Sequence, residues 1–366
     1  MTARQKLFLY RVAQYVLLAA ALALTILLIL KGDVGTGSRI LVCALVCVAA
    51  AGLQAHYLIH ELGHLLFGLL SGFRPVSFSV ACLRFARFGK KVSFIPNAAY
   101  AGASEMYPVG EKRLRGRLLL YTLGGAAFNF LFAAAGILCY LLLPASWALL
   151  FFVSLAPLNL YECVAELLPM QLPAGKTDGK FALDLMTGES GARNAFAVFR
   201  AQSLIAKGCF SDVPRSILYD VPVVREDDPA FLSLLSLRMM RAALLNEREE
   251  ALSCAERLSG LLEYLPLHDA GEAASDCVCV FSYFGKEGDA ASLLTAAENA
   301  KGGMAALRME ALFGRGSDAE KTLAAWERAA KKLPMQGQRE WEHFLLAWAA
   351  EHGTGEQNSA RIRTES

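Results

Sequence analysis

Two histidines one helical turn apart, with a glutamate beside the first, form the chain's clearest chemical signal: His60-Glu61-Leu62-Gly63-His64. On a helix, that spacing sets both imidazoles on one face, where they suit one zinc ion. Glu61 then lies next to the metal, placed to take a proton from an activated water. The pentad closes an uncharged apolar run from Ile40 to Ala55. Ionisable residues in such a setting are costly and point to a functional site. The chain has 6 histidines, and His56 falls on the same face one turn earlier. Its place ahead of the pentad assigns it a supporting or structural role rather than that of a ligand.

Two histidines and a water leave zinc one protein ligand short. Glu105, Glu111 and Asp178 are the candidates. The two glutamates sit in a basic loop whose charge they also offset. Asp178 follows a span and a break, Leu172 to Gly179, that returns the chain to the side where the pentad lies, and Gly179 permits close backbone approach. Asp178 also reads as a helix N-cap ahead of Gly-Lys-Phe-Ala-Leu.

The elements that must position these residues are membrane helices. The chain is 55% hydrophobic and 19% charged, with mean hydropathy +0.37, too apolar for an ordinary soluble protein. The apolarity is confined to the first half, which predicts a membrane domain followed by a soluble one. Four stretches are long enough to span: Val12 to Leu30, Ile40 to Leu70, Leu118 to Leu143, and Trp147 to Leu168 with Pro157 inside. The first is read as a retained span rather than a cleaved signal peptide, because its apolar core is long and no small-x-small cleavage site follows. Basic residues set the orientation. Arg4, Lys6 and Arg11 precede the first span, and Ser71 to Arg117 carries nine basic residues against Glu105 and Glu111. The positive-inside rule puts both termini and this loop in the cytoplasm. The expected location is a cytoplasmic membrane of bacterial type, crossed several times.

Within that loop, Ser77 to Val80 and Val92 to Ile95 alternate polar and apolar residues around Gly89-Lys90-Lys91, a β-hairpin signal. Such strands could pair with an extended substrate or simply pack on the membrane domain. Glu111 to Arg117 reads as a basic stretch for anionic head groups, or as the flank that anchors the third span. The 9 cysteines are scattered, and only Cys277 and Cys279 are closely spaced, so reduced buried thiols are expected. A net charge of +2 implies no nucleic-acid partner.

Residues 40 to 182 resemble the site-2 protease family of intramembrane zinc metalloproteases. His60 to His64 is similar to its first motif. Gly124-Gly125-Ala126-Ala127-Phe128-Asn129 is similar to its second, a glycine turn followed by Asn in the next core span. Leu167-Leu168-Pro169 through Asp178-Gly179 is similar to its third. The resemblance implies Asp178 as the third zinc ligand. Three positions depart from the family pattern: Gly125 stands for proline, Glu166 for the Asn ahead of the third-motif proline, and Thr177 for the Leu before Asp-Gly. No insertion long enough for a PDZ domain lies between the motifs. Asn129 is read as a catalytic residue that donates to the substrate carbonyl or oxyanion, with an interhelical hydrogen bond as the rival role.

From about Gly188 onward, helical periodicity takes over. Ser233 to Leu245 with Glu247 to Leu265, Ala273 to Phe284 with Asp289 to Ala300, and Met304 to Phe313 with Asp318 to Leu333 read as three helical hairpins. In the third, Trp326, Ala329 and Pro334 stand at a spacing similar to a tetratricopeptide repeat. The expected architecture is therefore mainly α. Residues 1–186 form a polytopic helix bundle of about four spans with a small β-hairpin insertion. Residues 187–352 form a cytosolic helical domain, tetratricopeptide-like, and 353–366 a disordered tail. The expected function is a zinc (Zn2+) metalloendopeptidase that cuts membrane-anchored proteins or peptides within or near the bilayer, with a protein partner on the helical domain. The alternative is a non-catalytic membrane scaffold of the same fold. A metal transporter would need ionisable residues along several spans, whereas here they gather at one side.

Overall fold

A computed structural model describes residues 3–52, 54–80, 83–86, 91–94, 102–172, 175–265, 267–298, 303–314 and 319–352. The chain divides into two compact units. One comprises Met1–Met106 and Arg113–Gly188, the other Tyr107–Lys112 and Glu189–Ser366. The expected disordered tail, 353–366, lies outside the described residues.

The first unit opens with α1 (Ala3–Lys31), uncharged from Val12 to Leu30. Next come α2 (Thr36–Cys47), a π-helical turn Val48–Gly52, and α3 (Ala55–Leu70). After four strands follow α4 (Leu114–Leu142) and α5 (Trp147–Leu167). Three helical segments, Leu7–Lys31, Leu114–Leu142 and Trp147–Leu167, are long and apolar enough to cross a membrane. Many of their side chains face outward, among them Val16 at 62% and Leu141 at 73% exposure. The expected second stretch, Ile40 to Leu70, is not one helix. Thr36–Ala51 and Ala55–Leu70 meet at 58°. At the break Gln54 takes a left-handed conformation, φ 48°, which an L-residue cannot propagate as a right-handed helix.

Polar atoms tie α5 into this unit. Tyr10 Oη donates to the Ala165 carbonyl at 3.1 Å, and Thr25 Oγ1 to the Ser154 carbonyl at 3.0 Å. Pro157 lies inside α5 without ending it. Ile29, Val42, Val46, Leu150 and Val153 bury an apolar core between α1, α2 and α5.

The basic loop holds a sheet larger than the expected hairpin. Its strands are β1 (Phe73–Val80), β2 (Leu83–Ala86), β3 (Lys91–Phe94) and β4 (Gly102–Pro108), in the order β3-β2-β1-β4. The two segments singled out by alternation are not partners. Ser77 to Val80 pairs antiparallel with β2, and β2 pairs antiparallel with β3. Leu83–Ala86 is too short to show its own alternation, and pairing across it is what makes the hairpin a sheet. In the basic stretch, Arg115 Nη2 donates to the Leu185 and Met186 carbonyls at 2.7 and 2.8 Å, and Arg117 to those of Ser71 and Gly72 at 2.5 and 3.0 Å. These side chains satisfy carbonyls at helix C-terminal ends. A two-residue pair, β5 (Gln171–Leu172) with β6 (Gly175–Lys176), leads into α6 (Asp178–Thr187).

The second unit is helical: α7 (Ser190–Ile205), α8 (Arg215–Tyr219), α9 (Pro229–Leu244), α10 (Arg248–Ser259), α11 (Leu267–Tyr283), α12 (Glu287–Glu298), α13 (Gly303–Phe313), α14 (Ala319–Ala330) and α15 (Gln336–His352). The three expected hairpins correspond to α9–α10, α11–α12 and α13–α14. Turn chemistry sets their ends. Asp228 Oδ1 accepts from the Ala230 N–H at 2.8 Å ahead of Pro229, and Asn246 and Gly285 take positive φ between helices. Cys277 and Cys279 are buried thiols of α11, and burial pushes the Cys279 thiol up to about 12.

Candidate metal centre

His60 and His64 lie on α3 one turn apart, and their Nε2 atoms are 3.0 Å apart. Asp178, at the first position of α6, brings its Oδ2 to 3.2 Å from each of them. Ligands about 2.0–2.1 Å from a tetrahedral zinc stand about 3.3–3.4 Å from one another. The three atoms therefore have the spacing of three corners of such a site. Asp178 Oδ2 is buried and accepts no hydrogen bond, so its lone pairs are free for a cation. Among the described residues, His60, His64 and Asp178 form the one cluster of this kind.

The backbone explains why these groups can meet. Thr177, not Asp178, is the N-cap of α6. Its Oγ1 accepts from the Lys180 N–H at 3.3 Å and from the Met170 N–H at 3.1 Å, and donates to the Leu168 carbonyl at 2.7 Å. The cap is thus supplied by the residue before, which frees the Asp178 carboxylate for the histidines. The Asp178 N–H donates to Glu166 Oε2 at 3.2 Å, fixing the turn to the end of α5. A Cβ on Gly179 would stand 2.1 Å from the Leu167 carbonyl oxygen, so only glycine allows α6 to start there.

On the opposite side, α4 presses against the ligands. A Cβ on Gly125 would stand 2.5 Å from His60 Nε2 and 2.7 Å from His64 Nε2. The second motif, at Gly125, is therefore a contact surface for the imidazoles. The carbonyl of Tyr121, one turn earlier, lies 2.9 Å from His64 Nδ1. As acceptor it keeps the proton on Nδ1 and leaves Nε2 as the ligand atom. Asn129, fully buried, brings its side-chain amide to 3.4 Å from His60 Nδ1, while its Oδ1 has no partner. When Nε2 of His60 is a ligand, Nδ1 carries the proton and needs an acceptor. Turning the Asn129 amide over supplies Oδ1 as that acceptor and satisfies both groups.

Glu61 is buried beside the first histidine, and a Cβ on Gly102 of β4 would stand 2.5 Å from its Cγ. The sheet thus crosses closely over the acid. Glu162 and Glu166 lie one turn apart on α5, with Glu162 only 3% exposed. With Glu61 and Asp178 they make the surroundings of the two histidines rich in carboxylates, which a divalent cation offsets. The donor set, two imidazoles and a carboxylate, fits zinc.

The remaining candidates are elsewhere. Glu105 accepts from Ser77 Oγ within the sheet, and Glu111 pairs with Arg200 at 2.9 Å in the second unit. The His56 ring lies tilted beside that of Tyr57, ring centres 4.3 Å apart, outside the cluster. Reading by residue type missed the Tyr121 carbonyl, because a backbone acceptor has no sequence signature. It also missed the Thr177 cap, although Thr before a new helix was a usable signal. No protein-family model, curated protein or solved structure matches the chain.

Proposed function

We propose that the chain is a multi-pass membrane zinc metalloendopeptidase of the kind its motifs resemble, the site-2 proteases, acting on membrane-anchored proteins or peptides within or near the bilayer. The observation that carries this reading is the meeting of His60, His64 and Asp178 at zinc-ligand spacing beside an acid, Glu61, on apolar helices. In this reading the bent pair of α2 and α3 counts as a fourth span. Both termini and the basic loop are cytoplasmic, in a membrane of bacterial type, and the helical second unit, tetratricopeptide-like in its third hairpin, faces a protein partner.

A zinc ion held by His60, His64 and Asp178 supplies a Lewis acid for the scissile carbonyl and lowers the pKa of water at the site. Glu61 takes one proton from the attacking water as its oxygen bonds to the carbonyl carbon. It delivers that proton to the amine as the C–N bond breaks. Asn129 acts as a positioning residue: its amide orients His60. This departs from the sequence expectation that it donates to substrate, because it lies fully buried against the ring.

The test is zinc content and cleavage of single-span substrates by detergent-purified protein. Glu61→Gln should keep wild-type zinc and lose cleavage by about 10²-fold or more. Asp178→Ala should lose both. Cleavage that survives in Glu61→Gln sinks the enzyme reading, and a wild type that neither holds zinc nor cleaves favours the scaffold.

A further inference from the structure

The second unit contains a cavity of about 450 Å3, within the range of about 300–1,000 Å3 that accommodates ligands. Its walls come from α7, α9, α10, α11, α13 and α15. Leu232, Leu237, Met240, Leu258 and Met304 supply an apolar side. The other side is acidic. Asp269, Glu272, Asp276 and Glu342 line it, and Arg308 is the one cation among the described lining residues. Ser233 and Asp269 are exposed and mark its opening.

The acidic side is built rather than incidental. Arg308 is 2% exposed; its Nη1 meets Asp276, its Nη2 lies 3.3 Å from Glu272 Oε2 and its Nε 3.7 Å from Glu342 Oε2. Trp341 Nε1 donates to Asp276 Oδ1 at 2.9 Å, and Trp326 Nε1 to Glu342 Oε2 at 2.7 Å. Asp276, Glu272 and Glu342 thus gather around one guanidinium, and four acidic residues face this one cation among the described lining residues. Acidic and apolar walls together ask for one occupant: a cationic multi-donor group on an apolar frame. A guanidinium offers five N–H donors.

We propose that this cavity is a peptide-binding site that receives an arginine side chain flanked by apolar residues, as an extended segment of a protein partner presents it. The cavity is far too small for a folded domain, and its charge rejects acidic sequence. The proposal deepens the partner reading above but does not depend on zinc or on cleavage.

Binding can be measured by calorimetry on the full chain in detergent, in the Glu61→Gln form so that no peptide is cut. The probes are acetylated, amidated nonapeptides with one central arginine among leucine and alanine, and counterparts with glutamine or glutamate at that place. The arginine peptide should bind at least tenfold more tightly than either counterpart, and more weakly as salt rises. Leu237→Arg, which places a cation in the cavity, should weaken it at least tenfold. Glu272→Gln, at a side chain 30% exposed, tests the same wall with less risk to folding and should also weaken it. Arginine and glutamine peptides that bind within twofold of each other, or no binding by any peptide, would overturn the proposal. Unchanged affinity in both variants would overturn the location. The peptide comparison leaves the protein untouched, so it holds even where a variant fails to fold. Tight arginine-peptide binding by a protein that never cleaves would uphold this site while the protease reading falls.

Discussion

At the scale of single residues, the site depends on which nitrogen of each histidine is left free. Tyr121 supplies a carbonyl to Nδ1 of His64, and Asn129 faces Nδ1 of His60. Partners of this kind typically change metal affinity by about 10–100-fold when removed. Asn129→Ala should therefore weaken zinc binding by about that factor, measured by competition with a chromophoric chelator. Asn129→Asp, which offers a fixed acceptor, should recover most of it. If Asn129 instead served the substrate, zinc affinity would stay at the wild-type value in both variants while the rate fell. The Thr177–Asp178 pair belongs to the same scale. The residues around Asp178 read as cap and as ligand alike, and only the family resemblance implied the ligand. The neighbouring threonine takes the cap, and the carboxylate is then available to the histidines.

At the scale of elements, helices announce themselves and strands do not. The three hairpins of the second unit follow from periodicity and turn residues, which act within a few positions. The sheet after α3 was legible only at Ser77 to Val80 and Val92 to Ile95, of which Ile95 lies outside the described residues, because Leu83–Ala86 is identified by its partners on both sides. The joint of α2 and α3 was hidden too: Ile40 to Leu70 read as one long stretch, and the bend lies where Gln54 takes a left-handed backbone conformation. Another element-scale feature is the charged cluster that links α11, α13, α14 and α15. Burial raises the Glu342 carboxyl to about 7, with Arg308 and the Trp326 N–H opposing, and Asp276 and Glu272 adding to the rise. Raised above its ordinary value, this acid holds its proton more firmly folded than unfolded. Its contribution to stability is complete below about pH 4.5 and is lost as pH rises through about 7. Glu342→Gln keeps an acceptor for Trp326 and removes the titration. In thermal melts followed by tryptophan fluorescence, the wild type should lose stability between pH 5 and 8 while the variant gains relative to it at pH 8, by about 2–3 kcal/mol. Parallel pH profiles for the two proteins would contradict this.

At the scale of the whole molecule, the first unit contains a candidate metal site whose residues come from α3 and the start of α6. A metal that binds only the folded form stabilises it by mass action, about 4 kcal/mol at a thousandfold excess over Kd. A unit of this size gains about 2–4 °C in Tm per kcal/mol. Chelation should therefore lower the Tm of detergent-purified protein by several degrees. Added zinc should restore it in the wild type and not in Asp178→Ala. A Tm indifferent to metal in the wild type would remove the metal centre from consideration.

What the amino-acid sequence determined by itself is what depends on near neighbours. The 3.6-residue period sets His60 and His64 on one face, the long apolar runs give helices able to cross a membrane, and turn residues divide the helical half. The tertiary structure decided which distant groups meet: that Asp178, which only the family resemblance had favoured over Glu105 and Glu111, reaches the histidines, that Gly125 lies against both rings, that Asn129 faces His60, and that six helices of the second unit enclose a charged cavity. Such meetings join residues tens of positions apart, and they are fixed by how helices pack, which no local pattern records.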